Sequence, residues 1–434
     1  MDKTIALPMP HRGQQAVRRT MQRFNWLCAG RRWRKTTLAM TVALEEALRG
    51  KQVVWGAPTF DQVRVGWKEA KRAAAGVLRF HETQMRVETP SGGAIIYRSF
   101  DDPDNARGHT ADGVIIDEAA DVVEEGWTEV LRPMLVDTGG WLLALGTPKG
   151  RNWFWRECMR APERDEAISW QAPTLGAQVI DGQLVRVPHP LENPEIAWGE
   201  LVDIFTGIPE RVFRQEILAE FLENAGGVFR NVRACVAGQL EERPSHPARQ
   251  YVMGVDLAKH ADYTVCCVGD MTDRRVVAYD RYNQADWGLQ KTRIIQMAHH
   301  WNNALVWLDA TGVGDPIYDD LRAAGLRIHP YKFTSASKTT LINNAVLMVE
   351  QQEVHYPEIA ALISELSSYE YERLPAGGLR MNAPAGMHDD FVVAFSLMCW
   401  PLAHHAPGLA PQALEQLRGS ETEIGGVRIM RKVF

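Results

Sequence analysis

The chain has 434 residues, of which 45% are hydrophobic, 24% charged and 9% aromatic. At roughly 100–200 residues per domain this means two or three domains with enough chain for sizeable cores, and it excludes a disordered, collagenous or low-complexity protein. The formal net charge of −6 lacks the overall basicity of many nucleic-acid-binding domains, and six cysteines without a Cys-x-x-Cys pair argue against a disulfide framework or a zinc site and fit a reducing cytosol.

The beginning of the chain lacks the apolar core of a signal peptide. The longest apolar stretch, near Phe391–Ala403, contains Pro401 and is short of the ~18–20 residues that cross a bilayer. A soluble intracellular protein is expected. Between Lys3 and Leu44 lie nine Lys or Arg residues and no Asp or Glu, the pattern of either a solvated basic face or a concentrated anion site.

Taken in chain order, Phe24–Ala29 is a short apolar strand followed by Gly30-Arg31-Arg32-Trp33-Arg34-Lys35-Thr36-Thr37 and a helix with Leu38, Val42 and Leu48 on its apolar face, ending near Gly50. Gln52–Ala57 is a second strand and Gln62–Leu78 a basic helix. Met85–Glu88 and Ala94–Ser99 flank Thr89-Pro90-Ser91-Gly92-Gly93, a hairpin signal. Val114–Ile116 and Trp141–Leu145 are buried strands. Alternation of this kind predicts an α/β domain with a mostly parallel sheet over residues 1–170. Prolines at 173, 188, 190, 194 and 209 mark residues 171–245 as a small lid subdomain and linker, with a helix near Pro209–Phe221. A second α/β domain is expected over 246–405. Its strands are Tyr251–Val255, Tyr263–Val268, Arg275–Tyr282 and Ala304–Leu308, with a helix at Leu289–Trp301. Three antiparallel strands, a helix and a parallel strand form the order of a ribonuclease-H-like fold. Helices are expected at Asp315–Ala324, Thr339–Gln352, Ile359–Tyr369 and His388–Cys399, with a hairpin across Arg373–Pro384. Residues 406–434 read as a C-terminal tail.

Two constellations carry chemistry. A strand, a Gly/Arg loop ending in Lys-Thr and a helix make a P-loop. Its backbone N–H groups and helix N-terminus cradle phosphate, Lys35 neutralises phosphate charge and the Thr36 hydroxyl ligates Mg²⁺. Ala29 and Arg34 replace the two outer glycines of the usual pattern. An arginine restricts the backbone where glycine is usual, while Arg31, Arg32 and Arg34 suit a polyanion by charge and fork geometry. Either Lys35 or an arginine such as Arg31 makes the main phosphate contact. Thr37 extends the loop's hydroxyl pair. Asp117 and Glu118 close the apolar strand Val114–Ile116, placing Asp117 on Mg²⁺ and Glu118 on the attacking water. Arg107 is a candidate arginine finger for a neighbour's nucleotide, Thr147 a sensor of γ-phosphate loss, and His11, Gln14 and Gln15 candidate readers of the adenine edge.

The second constellation is acidic. Asp256 and Asp309 end strands, Asp262 begins one, and Asp389 and Asp390 open a helix. Like charges converging there need cations. Oxygen ligands suit Mg²⁺ or Mn²⁺, and two such ions would support phosphodiester cleavage. His388 is a capping or tuning residue, and Lys332, Lys338 and Arg380 are candidates for contacts to DNA phosphates.

In this order the motifs resemble those of the large terminase subunit of tailed double-stranded DNA phages. They are Gly30–Thr36; Arg107-Gly108 through Ile116-Asp117-Glu118-Ala119-Ala120; Leu131-Arg132-Pro133-Met134-Leu135; Gly146-Thr147-Pro148; Gly254-Val255-Asp256 with Asp262-Tyr263-Thr264; Leu308-Asp309 through Gly314; and His388-Asp389-Asp390. The resemblance covers about Gly13 to Trp400. It implies an ASCE-type P-loop ATPase domain, a lid, and a ribonuclease-H-like nuclease domain in a motor that packages viral genomes. It implies phosphate and Mg²⁺ roles for Lys35 and Thr36, Mg²⁺ binding by Asp117, the catalytic base at Glu118, a coupling role for Thr147 and a trans-acting finger at Arg107. It further implies nuclease metal ligands at Asp256, Asp309 and the Asp389/Asp390 pair, with Asp262 an accessory. Cofactors would be ATP and Mg²⁺ or Mn²⁺. Partners would be double-stranded DNA, the portal protein, a small terminase subunit and further copies in a ring, in the cytoplasm of an infected bacterium and transiently at the procapsid portal, with no membrane contact. A repair or recombination ATPase fused to a resolvase-like nuclease is the alternative, and a non-enzymatic subunit with a decayed site is a third reading.

Overall fold

A computed structural model of the chain describes residues 4–100, 110–222, 227–257, 262–311, 315–373, 379–384, 387–404, 421–424 and 427–430. It divides into two units, Met1–Gly226 with Tyr371–Met381, and Gly227–Glu370 with Asn382–Phe434.

The first unit runs α1 (Arg12–Arg19), β1 (Phe24–Ala29), α2 (Lys35–Leu48), β2 (Gln52–Ala57), α3 (Phe60–Ala74), β3 (Arg79–His81), β4 (Arg86–Glu88), β5 (Ala94–Ser99), β6 (Gly113–Asp117), α4 (Arg132–Met134), β7 (Trp141–Gly146), α5 (Trp153–Arg160), β8 (Ala167–Ala172), β9 (Ala177–Ile180), β10 (Gln183–Arg186), α6 (Trp198–Gly207) and α7 (Glu210–Glu216). Eight strands form one sheet in the order β3-β4-β5-β2-β6-β7-β1-β8. From β5 to β8 every pairing is parallel, and only the β3–β4–β5 edge is antiparallel. The apolar runs of β1 and β6 have the composition of strands covered on both faces. Leu27, Trp55 and Ile115 enter one core, while Trp26, Cys28, Val54 and Ile116 enter the other. β6, β7 and β1 are consecutive interior strands of the sheet, and their C-terminal ends place Gly30, Asp117 and Thr147 along one edge.

The lid region is more regular than its prolines suggest. It holds the antiparallel β9–β10 hairpin and α6, with Leu201, Phe213, Ile217 and Leu218 in a small core of their own. The strand β8, half-buried at the sheet edge, and the short helices α1 and α5 are likewise unannounced by the sequence.

The second unit runs β11 (Tyr251–Asp256), β12 (Thr264–Asp270), β13 (Arg275–Tyr282), α8 (Trp287–His300), β14 (Leu305–Asp309), α9 (Asp315–Ala323), β15 (Ile328–Tyr331), α10 (Ser335–Glu350), α11 (Ala360–Ser368), then, after the paired strands β16 (Glu370–Arg373) and β17 (Leu379–Asn382) whose residues 371–381 group with the first unit, α12 (Asp390–His404), β18 (Glu421–Ile424) and β19 (Val427–Met430). The sheet order is β13-β12-β11-β14-β15. The β11–β12 and β12–β13 pairs are antiparallel, and β11–β14 and β14–β15 are parallel, the ribonuclease-H-like arrangement expected. β18 and β19 pair as a hairpin inside the segment expected to be a plain tail.

The apolar stretch at the chain's end is α12, whose Phe391, Phe395, Leu397 and Met398 are wholly buried. A helix apolar on all sides is a core helix here, and among the described residues no helix is long and apolar enough to cross a membrane. α12 lies so close to β11 that a Cβ on Gly254 would stand 2.0 Å from the Ala394 carbonyl oxygen. Only glycine permits that approach, which brings the start of α12 to the strand that ends in Asp256.

Candidate functional site

In the first unit the turn after β1 is built from arginines in unusual backbone states. Arg32 and Arg34 have φ of +64° and +65°, the left-handed region that favours glycine. Arg34, which stands where the usual P-loop pattern has glycine, adopts glycine's conformation while keeping a side chain, and that side chain pairs with Glu195 at 2.7 Å. The loop is held by hydrogen bonds from the lid. The Arg31 N–H donates to the Glu216 carbonyl at 2.7 Å. The Thr174 hydroxyl donates to the Arg31 carbonyl, and Asn193 Nδ2 to the Arg32 carbonyl at 3.0 Å. Arg31 also pairs with the Glu216 carboxylate at 2.7 Å. Gly30 is the tightest point, since a Cβ there would lie 2.4 Å from both the Ile217 carbonyl oxygen and Thr174 Oγ1.

Behind the loop, Gln14 Nε2 donates to the Arg34 carbonyl at 3.0 Å and Gln14 Oε1 accepts the His11 N–H at 3.1 Å. The His11 Nε2 lies 3.0 Å from the Trp33 carbonyl. Burial lowers the His11 pKa. Gln15 Nε2 donates to the Pro10 carbonyl. His11 and Gln14 thus brace the loop through their polar atoms, while Gln15 bonds outside it.

Lys35 is the first residue of α2 and is buried; its Nζ donates to the carbonyls of Ala29 at 3.0 Å and Gly30 at 3.3 Å. The Thr36 hydroxyl donates to Asp117 Oδ2 at 3.0 Å, which joins the loop to the Asp-Glu strand. Asp117 is 4% exposed. Burial, then the neighbouring Glu118 charge, push its pKa up to about 7 against the opposing pull of Thr36 and Lys35. Glu118 has φ +51°, a left-handed conformation that is uncommon in a non-glycine residue. A cavity of about 260 Å³ is lined by Arg31, Thr36, Asp117, Glu118, Thr147 and, from outside the predicted set, Gln62, Lys149 and Glu216. A second, of about 550 Å³, is lined by Arg31, Arg32, Arg34, Lys35, Thr36, Thr37 and Glu118. The predicted nucleotide residues thus converge, with Gln14 behind the loop. Arg107 lies outside the described residues.

In the second unit, Asp256 at the end of β11 and Asp309 at the end of β14 sit on neighbouring parallel strands, and Asp389 and Asp390 stand at the start of α12. The Asp256 pKa is raised well above the ordinary carboxylate value, first by burial and then by the charges of Asp309, Asp390 and Asp389, with Lys338 opposing. Asp309 is raised chiefly by burial, although its Oδ1 accepts the Thr311 N–H at 2.7 Å. Asp390 is raised by burial, Asp262 and Asp389, against the Tyr263 N–H that donates to its Oδ2 at 3.2 Å. Lys338 Nζ lies 3.1 Å from Asp389 Oδ2. His388 Nδ1 lies 3.5 Å from Asp390 and 3.9 Å from the exposed Asp262. Among the described residues, no three His, Cys, Asp or Glu side chains are drawn together as a metal-ligand cluster. The mutual repulsion of an all-oxygen acidic set nevertheless fits a divalent cation by donor chemistry.

Sequence reasoning did not find Glu365, buried on α11, whose pKa is pushed up to about 7 by burial, or Arg281, which pairs with it at 3.1 Å. Nor did it find the lid residues Thr174, Asn193, Glu195 and Glu216. None lies in a motif, and only the fold brings each to its site.

With both geometries in view, comparison with known proteins decides the lineage. The family model described as the terminase RNaseH-like domain matches residues 253–396. The large terminase subunit of Thermus virus P23-45 is 30% identical over 429 residues, covering 89% of this chain and 86% of its own length. The chain belongs to the large terminase subunit family. The large subunit of Escherichia phage T5 is 26% identical over 214 residues, covering 48% of this chain and 46% of its own length. A solved large terminase from a thermophilic bacteriophage covers 91% of this chain and 100% of its own, with a TM-score of 0.60 and 14% identity, a likeness of fold. In this large terminase the expected α/β class, with a P-loop unit before a ribonuclease-H-like unit, is the observed one.

Proposed function

We propose that this large terminase is a genome-packaging motor: its first unit hydrolyses ATP to move double-stranded DNA into a procapsid, and its second unit cuts concatemeric DNA at the start and end of packaging. The observation that carries this reading is the presence, in one chain, of the Thr36–Asp117 hydrogen bond joining a phosphate loop to an Asp-Glu strand and of an acidic set at the ends of β11 and β14 and the start of α12.

In the first unit, Lys35 and the loop N–H groups would bind the phosphates, Thr36 and Asp117 would hold Mg²⁺, and Glu118 would orient and deprotonate the attacking water. Thr147, at the end of β7 on the same cavity, would register loss of the γ-phosphate. The lid grips the loop through Arg31, Arg32 and Arg34, so a change at the phosphates reaches residues 171–222 directly. Arg107 is proposed as the finger acting on a neighbouring subunit's nucleotide. In the second unit Asp256, Asp309, Asp389 and Asp390 would hold Mg²⁺ or Mn²⁺, with Asp262 an accessory. Such ions supply an activated water and stabilise the leaving oxygen. Tyr263 orients Asp390, and Lys338 offsets the charge of Asp389. The functional domains are proposed as 1–170, 171–245, 246–405 and a tail at 406–434. The portal protein, a small terminase subunit and a ring of copies are the proposed partners, in the cytoplasm of the infected host.

The large terminase of the same thermophilic bacteriophage has been solved in complex with ADP, at 14% identity and a TM-score of 0.57 over 90% of this chain and 98% of its own, which supports the nucleotide reading. The test is a reciprocal pair. Glu118→Ala should bind ATP yet abolish turnover and packaging with nuclease activity intact. Asp256→Ala should abolish plasmid cleavage in Mg²⁺ or Mn²⁺ with ATPase intact. Normal cleavage by Asp256→Ala overturns the nuclease assignment, and selective cleavage of branched DNA would favour a repair enzyme.

A further inference from the structure

The acidic set of the second unit depends on where α12 begins, because Asp389 and Asp390 stand at its first turn. Four contacts around that turn close into a ring. The Phe391 N–H donates to Glu365 Oε2 at 2.8 Å. Arg281 Nη2 donates to Glu365 Oε1 at 3.1 Å. The Arg281 guanidinium lies over the Tyr263 ring, 3.6 Å from its centroid. The Tyr263 N–H donates to Asp390 Oδ2 at 3.2 Å, and Asp390 precedes Phe391 in the chain. The ring joins β12's approach, β13, α11 and α12.

The chemistry at each corner is specific. A carboxylate receiving the N–H of a helix's first turn fixes where the helix starts. A guanidinium can bond a carboxylate with one edge and present its flat face to an aromatic ring, which an ammonium cannot reproduce. Arg281 does both, and its Nε is buried without a hydrogen-bond partner among the described residues. Its placement therefore rests on Glu365 and on Tyr263. Glu365 itself is 7% exposed, so its orientation is set by packing, by these contacts and by the backbone N–H of Val392 next to Phe391.

We infer that Glu365 and Arg281 are positioning residues of the nuclease. Through Phe391 on one side and Tyr263 on the other they hold the Asp390 carboxylate in the stance from which it meets a divalent cation. Neither touches the reacting phosphodiester. They act on metal affinity, as hydrogen-bond partners behind metal ligands do, where substitution typically weakens binding ~10–100-fold. The inference rests on the nuclease reading above and deepens it.

The experiment uses the full chain with Mn²⁺ as the probe. Binding is followed by titration calorimetry and by the Mn²⁺-induced rise in melting temperature, alongside plasmid cleavage over a Mn²⁺ series and ATPase activity. Glu365→Ala and Arg281→Ala should each raise the Mn²⁺ concentration for half-saturation by about tenfold or more, with cleavage recovering substantially at high Mn²⁺ and ATPase unchanged. Glu365→Gln, which keeps an acceptor for Phe391 but loses the charge facing Arg281, should fall between parent and Glu365→Ala. Arg281→Lys should resemble Arg281→Ala, since its charge alone cannot stack. If an alanine variant fails to fold, the Gln and Lys variants decide. An unchanged Mn²⁺ half-saturation in folded variants, whatever happens to cleavage, overturns the inference. Asp390→Asn separates the two levels: if it cleaves normally, the nuclease reading itself falls; if it is inactive while Glu365 and Arg281 variants bind Mn²⁺ like the parent, only the positioning role falls.

Discussion

In the first unit the functional loop is met on every side by partners: Lys35 and Thr36 bond within the site, and the lid supplies Thr174, Asn193, Glu195 and Glu216. In the second unit Asp256 faces the charges of Asp309, Asp389 and Asp390 with Lys338 as the opposing cation. The first site is charge-balanced before any ligand arrives, so what it gains from nucleotide is an exchange of partners. The second is unbalanced by its own side chains, so what it gains from a cation is relief of repulsion. The difference teaches where each site is vulnerable: the loop to loss of a single buried contact, the acidic set to changes in metal supply and pH.

The sharpest test of the balanced site compares its two candidate phosphate contacts. Lys35→Ala removes a buried ammonium that bonds two loop carbonyls, and ATP turnover should fall ~10²–10³-fold, the cost of losing one preorganised electrostatic contact. The Arg31 side chain is 71% exposed and paired with Glu216, so Arg31→Ala should lower turnover by less than about tenfold. Steady-state ATPase assays decide. A larger loss for Arg31→Ala would mean that the arginine has taken the lysine's role.

Asp117 is the place where the first site resembles the second. Its carboxyl is raised to about 7 from 3.8, so in metal-free protein the folded state keeps a proton that the unfolded chain has released. The sign follows: no penalty exists below about pH 4, stability falls as pH rises from there, and the full penalty is present above pH 7. It amounts to about 4 kcal/mol at ~1.4 kcal/mol for each pKa unit. Asp117→Asn should remove this fall. Urea unfolding without metal at pH 5 and pH 8 should show the variant gaining on the parent by a few kcal/mol at pH 8, while losing Mg²⁺-dependent ATPase. A parent–variant difference that does not change with pH would show that Asp117 is ionised in the metal-free protein.

The same contrast explains what was legible in the sequence. The nucleotide loop is local: Gly30 to Thr36 are consecutive, and the apolar strand before Asp117 announces its own burial, so both halves can be read as motifs. The acidic set could be proposed because strand order in a ribonuclease-H-like sheet forces β11 and β14 together. Its supports could not. Glu365 is one glutamate among many, and nothing in the spacing of α11 says that it will meet Phe391 and Arg281. The lid was hidden for another reason. Prolines at 173, 188, 190 and 194 signal irregular chain, yet β9 and β10 fit between Pro173 and Pro188 and α6 follows Pro194, and Glu195 and Glu216 acquire meaning only when the loop arginines arrive. Helix α3 starts two residues earlier than expected because Thr59 and Gln62 form a reciprocal cap, and it stops near Ala74 before a short turn.

A smaller effect is expected at the tightest point of the balanced site. Gly30→Ala would place a methyl 2.4 Å from two oxygens that hold the loop. One is a backbone carbonyl, so the loop and lid must separate to admit it. A loss of ~1–3 kcal/mol is expected, together with weaker ATP binding, read by calorimetric melting and by nucleotide titration. Unchanged melting would mean that the lid yields freely and does not grip the loop.

The smallest effect is expected at Arg34. Its left-handed backbone, φ +65°, costs roughly 1 kcal/mol that glycine would not incur. Arg34→Gly relieves that cost but loosens the unfolded chain by a similar amount. It also loses the pair with Glu195, in which both side chains are about half exposed and whose worth is therefore ~0–1 kcal/mol. The opposing terms leave stability within about 1 kcal/mol of the parent, or ~2–4 °C in a unit of this size. Turnover should also change little, because what the position contributes to phosphate binding is a backbone shape that glycine supplies equally well. A hundredfold loss of turnover in a stably folded Arg34→Gly would show instead that the guanidinium itself leaves Glu195 for the nucleotide, and that this loop has moved part of the phosphate contact from Lys35 to Arg34.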